Sequence, residues 1–396
     1  MTAPAKHAQR RLPRPHVILP RRTTALVALA CAAALAGCVT AERSGDPAPS
    51  PAESHALISR LLPPKTPDRV GWATDIYAAF VALKLAPTAD NICAVVAVTE
   101  QESTFRVSPT VPGLAKIAWK EIDDRAQALG IPPGVARTAL RISSPDGRSY
   151  SERIDSARAE QELSEIFDDL IGMVPMGKTL FGRWNPVRTG GPMQVSIAFA
   201  QEHAQAKPYP FGGERSIRRE VFTRHGGMYF GIAHLLDYAA SYDRQLYRFA
   251  DFNAGHYASR NAAFQSAVTV ASGKPLVLDG DLVNYASDAV KTPGSTELAT
   301  RALGAQLKLG NAEIRRTLEE GRSAQFERSL LYQRVFALAD RKAGRALPRA
   351  VVPRIRLKSP KITRNLTTAW FADRVEGRYQ RCLARHAGPG PGADPR

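Results

Sequence analysis

The sequence predicts a mainly α-helical protein, and three observations carry that expectation. Apolar residues recur at helical spacing in most segments after Trp72, with Leu298, Leu303, Leu307, Ile314 and Leu318 opposite a charged face as one example. Turn-like segments such as 143–149 (SSPDGRS) separate these patterns. No stretch reads as a strand-rich domain.

Taken in order, Trp72–Leu85 and Asn91–Ser103 read as two helices joined by a turn at Pro87, with Asp90 or Asn91 as the N-cap. Ile92 to Val98 is apolar at every position, so as a helix it has no solvent face and belongs inside the protein. A buried strand is the other reading of that run. Helix is preferred because Thr99–Ser103 continues with good helix formers and the stop comes only near Pro109 and Pro112. Glu100 and Glu102 then fall in the last turn, at the negative end of the macrodipole. Dipole and desolvation together would raise a carboxyl pKa there, which suits a general acid. The plainer alternative is a helix leaving the core for water. Leu114–Leu129, Pro133–Arg141 and Ser151–Ile171 read as helices, and Gly172–Gly191 as a Gly- and Pro-rich loop. Short helices are expected over Pro192–Glu202, Glu214–Phe230, Gly231–Tyr242 and Asp243–Phe252. Another follows Gly255 as far as Gly273, and Ser295–Asp340 is again helical in period.

The formal net charge is +17, and six of the bases lie before residue 38, in a segment without acids, leaving +11 beyond it. The basic region ending at Arg22 is followed by TTALVALACAAALAGC, an apolar run too short to span a bilayer. This reads as an export signal over residues 1–37. Leu35, Ala36, Gly37 and Cys38 match the lipobox of bacterial lipoproteins, in which the cysteine is lipidated and begins the mature chain. The expected location is the cell envelope, with a lipid anchor holding the protein to the membrane; resemblance to enterobacterial lipoproteins, in which Asp after the cysteine favours the inner membrane, implies from Val39 the outer membrane facing the periplasm. Export argues against a nucleic-acid partner and makes peptidoglycan, a carboxylate-bearing polymer, the expected one. Residues 38–70, rich in Pro and Ser, read as a flexible tether. Residues 291–396 read as a helical basic C-terminal region with a disordered tail. Cys93 and Cys382 remain after the signal and lipidated cysteines; an oxidising compartment allows them to pair, and Cys93 reads equally as a small core residue.

Three short motifs carry chemistry. Glu102, Ser103 and Phe105 match the E-S-x-F element of the soluble lytic transglycosylases, lysozyme-like enzymes of the peptidoglycan glycan strand. Gly191, Pro192, Met193, Gln194 and Val195 resemble the family's G-L-M-Q-[LIV], with Pro for Leu. Ala250 to Gly255 resembles its A-x-Y-N-A-G, with Phe252 for Tyr, and Gly231, His234 and Leu235 fall where G-x-x-Y-L is common. The resemblance implies a lysozyme-like catalytic domain over residues 71–290, departing from the family in an insertion over residues 106–190 that forms a helical subdomain or a lid. The chain also resembles a family of uncharacterised proteobacterial lipoproteins.

The resemblance further implies a lytic murein transglycosylase. Glu102 is the single acid and base, with Ser103, Met193, Gln194, Phe252 and Asn253 at the sugar. Glu100 is the rival acid, but residues two apart on a helix stand about 200° apart and do not share a cleft. A hydrolase would need a second acid, for which Asp251 is nearest. The rival of another class is a non-catalytic peptidoglycan-binding or envelope-scaffold lipoprotein of the same fold. His203, His225, His234 and His256 show no metal spacing, and no cofactor is expected.

Overall fold

In the computed structural model, residues 49–212, 215–284, 292–357 and 364–387 are described, without the side chains of 178, 180 and 183. The signal over 1–37, the lipidation cysteine Cys38 and the tail beyond 387 lie outside the described residues. In chain order the helices are α1 (Pro51–Leu61), α2 (Arg69–Ala82), α3 (Ala89–Glu102), α4 (Leu114–Ala128), α5 (Pro133–Ala139), α6 (Tyr150–Ser156), α7 (Glu160–Gly172) and α8 (Gly177–Phe181). A two-stranded antiparallel hairpin follows, β1 (Thr189–Gly190) and β2 (Val195–Ser196), with Thr189 opposite Ser196. Then come α9 (Ile197–Ala206), α10 (Ile217–Val221), α11 (Arg224–Leu236), α12 (Gln245–Ala254) and α13 (Ala258–Ser272). The chain ends in α14 (Ser295–Arg301), α15 (Gly304–Leu307), α16 (Asn311–Glu319), α17 (Leu330–Ala343) and α18 (Thr368–Ala387). The protein is mainly α-helical, as its periodicity implied.

The helix alternative holds for the apolar run. Every residue from Ile92 to Val98 is 0% exposed, and each large side chain so buried contributes about 1.5–3 kcal/mol. The N-cap is Thr88, not Asp90 or Asn91: its hydroxyl accepts the Asn91 amide at 3.2 Å. α3 is walled by α1, α11 and α18.

The tether reading of 38–70 needs correction over its second half. Pro51–Leu61 is a helix whose Ile58 and Leu61 are fully buried in the main core, packed against α2, α3 and α18. The C-terminal region is no appendage either. α18 buries Phe371, Ala372, Val375, Tyr379 and Cys382 against α3 and α12, and a disulfide joins Cys382 to Cys93. Tyr379 also donates its hydroxyl to Asp90 at the start of α3. A second core forms where α13 meets α14 and α17, with α16 packed on α14, around Phe264, Phe326 and Phe336. The buried Arg260 guanidinium joins these elements by donating to the Gly321 carbonyl at 2.6 Å and the Ser323 carbonyl at 2.8 Å.

Residues 106–190, expected as an insertion, are mostly helical and hold a small core of their own, Tyr150, Ile154, Ala157 and Ile166. A capping box of Ser149 and Glu152 starts α6. The single helix expected over Ser151–Ile171 is two, broken at Ala157, where the backbone is extended. Among the described residues no helix is long and apolar enough to cross a membrane.

Candidate functional site

α11 is the platform on which α3, the hairpin segment and α12 meet. It runs unbroken through Gly226, Gly227 and Gly231, and ten of its residues are buried. Met228 receives Thr99 of α3, whose hydroxyl lies 3.9 Å from the Met228 sulfur. Gly231 receives the hairpin segment through Met193, and His234 receives α12, with the two rings of His234 and Phe252 at 5.0 Å. Positions 228, 231 and 234 are successive turns of one helix and span about 9 Å of its axis at 1.5 Å per residue. Segments far apart in sequence, around Thr99, Met193 and Phe252, are thereby docked on one helix.

Glu102 is the last residue of α3 and is half-buried. Ser103 is buried, and its hydroxyl donates to the Thr99 carbonyl at 3.2 Å, closing the helix end. The next two residues take positive φ, 53° at Thr104 and 58° at Phe105. That geometry costs on the order of 1–3 kcal/mol per non-glycine residue and persists where surrounding structure enforces it. Here the enforcing contact is the Phe105 ring, buried edge-on to Trp72 at 5.2 Å. Glu100 points elsewhere, toward Arg378 at 3.7 Å and Arg381 at 4.0 Å on α18.

Gln194 closes the hairpin turn, also with positive φ, 50°. Its amide nitrogen donates to the Gly191 carbonyl at 3.1 Å, and its side-chain oxygen lies 3.5 Å from the Thr189 hydroxyl. Met193, expected at the sugar, is corrected by its burial: it is 0% exposed and lies over Gly231. A β-carbon on Gly231 would stand 2.5 Å from the Met193 sulfur. Gly231→Ala should therefore destabilise the protein by about 1–3 kcal/mol through overpacking, read as a lower urea midpoint at unchanged m. An unchanged midpoint would refute this account of the glycine.

Phe252 is likewise buried, 9% exposed, with its ring against His234 rather than open to a ligand. Asn253 is exposed, and its side-chain oxygen accepts the Thr368 hydroxyl of α18 at 2.9 Å. Asp251 is fully buried and wholly engaged. It accepts the Tyr238 and Tyr242 hydroxyls at 3.1 and 2.6 Å and the amides of Tyr257 and Ser259 at 2.9 and 2.7 Å. Burial raises its pKa while these donors pull it back. Its work is to join α12 to the start of α13, and it offers no second acid to solvent. Of the motif residues, Glu102, Gln194 and Asn253 thus keep surface, while Ser103, Met193 and Phe252 support them from below.

His234 takes the place where the resemblance expected Tyr. Its Nε2–H donates to the Phe252 carbonyl at 3.2 Å, its Nδ1 has no hydrogen-bond partner, and its backbone carbonyl accepts His256 Nε2–H at 2.7 Å. Burial, then the adjacent His256, holds its pKa down at about 3. The imidazole is therefore neutral near pH 7. A histidine depressed in this way contributes stability fully above the unfolded pKa of about 6.5, lost at about 1.4 kcal/mol per unit as pH falls toward the folded value. Between pH 6.5 and 5 the loss should be about 2 kcal/mol, and His234→Leu should remove that share of the slope. Denaturant titrations of both proteins at the two pH values test it, and parallel slopes would refute it. Among the described residues no group of three or more His, Cys, Asp or Glu is placed to hold a metal ion.

Sequence reasoning missed one feature beside the hairpin, a cavity of ≈ 850 Å³ lined by Arg188, Arg215, Arg218 and Arg219. The signal was present in R-S-I-R-R over residues 215–219, but only the fold brings it to Arg188.

These features define a mainly helical, disulfide-closed protein in which α3, the hairpin segment and α12 pack on one buried helix. Over residues 65–385 the chain matches the family described as Protein of unknown function (DUF1615), and it belongs to that family. It is similar to "Uncharacterized protein YaiW" of Escherichia coli (strain K12), 58% identical over 328 residues that cover 83% of this chain and 89% of that protein. No solved structure matches. The likeness to lytic transglycosylases therefore rests on the three sequence motifs alone.

Proposed function

We propose that this chain is a peptidoglycan lytic transglycosylase, held at the envelope membrane by lipid on Cys38. The observation that carries the reading is that three segments contact α11 within two turns: α3 through Thr99, one turn before the E-S-x-F glutamate, G-P-M-Q through Met193, and F-N-A-G through Phe252. Strained backbone at Thr104, Phe105 and Gln194 adds support, because such strain gathers at functional sites.

In this reading Gln194 and Asn253 hold the sugars through their amides, each braced on one side by a neighbour. Glu102, protonated, gives its proton to the glycosidic oxygen as the bond from muramic acid C1 breaks. The substrate's own acetamido oxygen supports the cation at C1. The Glu102 carboxylate then takes the proton from the C6 hydroxyl as that oxygen bonds to C1. The acid is regenerated, the product is a 1,6-anhydro sugar, and no water is consumed. One carboxyl group serves both steps, which agrees with Asp251 being sealed in the core.

Incubating sacculi with the mature chain and analysing the released material by mass spectrometry tests the proposal. Anhydromuropeptides are expected. Reducing-end products would replace it with hydrolysis. Binding without release would favour a non-catalytic wall-binding scaffold, a reading that the buried Phe252, without the hydroxyl of a Tyr, also supports.

A further inference from the structure

The arginine-lined cavity lies between α7, α9 and α10, beside the hairpin. Arg188 directly precedes β1, and Arg215, Arg218 and Arg219 come from α10 and the residues before it. Residues 106–190 supply Arg188 itself and, from the end of α7, Asp168 and Ile171, so without that segment this wall would be absent. Asp168 is the single acid among the described lining residues, and one of its oxygens already accepts the Asn185 amide at 3.2 Å. Arg218 is fixed in place by donating to the Val187 carbonyl at 2.9 Å. Arg215 and Arg219 are exposed.

The cavity is large for a lone inorganic anion and lies within the range of pockets that hold organic ligands. Its cations come from two separate segments, which suits several anionic groups spaced along one molecule, and planar guanidinium groups favour carboxylates. Ser196 and Gln201 add groups that can pair with amides. Ser196 is also the link to the candidate sugar site. It lies two residues beyond Gln194, about 7 Å along an extended chain, and pairs with Thr189, which contacts the Gln194 amide.

We infer that this cavity binds the carboxylate-bearing peptide that branches from a glycan strand lying at Gln194. The inference rests on the proposed function for the position of the glycan, but the binding of peptide can be read without any cleavage. The segment over residues 106–190 then makes the protein a reader of peptide-substituted wall.

The test uses the full mature chain, its Arg215→Ala/Arg219→Ala variant and Glu102→Gln, each checked for an unchanged melting temperature. A fluorescent tetrapeptide containing D-glutamate and diaminopimelate is titrated into each by anisotropy. The double variant should bind at least tenfold more weakly, and Glu102→Gln should bind as the parent does. Equal binding by the double variant overturns the inference. So does displacement of the peptide by inorganic phosphate or anionic vesicles at concentrations no higher than the peptide's own, which would mark a general anion site. In a second arm, the parent should cleave peptide-bearing strands faster than strands stripped by an amidase. The double variant should lose that preference while keeping the rate on stripped strands; a retained preference also overturns the inference. Absence of cleavage of either strand by the parent counts against the transglycosylase alone, and the peptide titration still decides the cavity.

Discussion

Glu102→Gln should abolish the release of anhydromuropeptides, lowering turnover by about 10² to 10⁴ while leaving the melting temperature unchanged. The amide keeps the size and hydrogen-bonding reach of the acid and removes the proton that the glycosidic oxygen needs. Stability should be preserved because the residue ends α3 rather than packing in its buried stretch, which closes at Thr99. The informative companion is Glu100→Gln. That carboxylate faces Arg378 and Arg381 on α18, so its neutralisation should leave turnover within a few-fold of the parent. Turnover is measured as soluble muropeptide released from sacculi over time. An active Glu102→Gln, or loss confined to Glu100→Gln, would move the chemistry off the residue proposed here.

Removing the disulfide should have the largest effect on stability. The bond ties the buried start of α3 to the last turns of α18 across a separation of 289 residues. Closing a loop of that length constrains the unfolded chain strongly, and loss of such a bond costs about 3–5 kcal/mol in the chain-entropy view. For a chain of this size that is a fall in melting temperature on the order of 5–10 °C. The Cys93→Ala/Cys382→Ala variant and the reduced parent should behave alike in calorimetry, both below the oxidised protein. Activity should become heat-sensitive in parallel, since undocking α18 withdraws Thr368 from Asn253. A double variant melting with the parent would show that burial alone holds α18.

The buried helix α3 was legible in the sequence because seven consecutive apolar residues admit no solvent face. Its cap was less so. Thr88, Asp90 and Asn91 are all suitable residue types, and only the direction of the chain at Thr88 selects it. α1 was hidden because Pro51 opens it, in a composition typical of linkers, and its few apolar residues matter only when α2, α3 and α18 surround them. α11 was read as broken near Gly231, since glycine is a poor helix former. The glycine is there so that Met193 can approach, a tertiary reason that no local pattern contains. The same limit applies at the site. The resemblance proposed Glu102, Gln194 and Asn253 together with Met193 and Phe252, but it could not say that the last two lie beneath the surface rather than on it.

The return of α18 to the first helices also dictates an order of events. Synthesis proceeds from the N-terminus, so α1, α2 and α3 exist long before the helix that covers them. Until residues near 380 have been made, the apolar face of α3 has no lid and Cys93 no partner. The second core, within residues 263–339, can assemble from near neighbours in the chain, whereas the main core must wait. Completion is therefore governed by the last helix, and a chain stopped before Thr368 would carry every motif residue yet expose the interior that positions them.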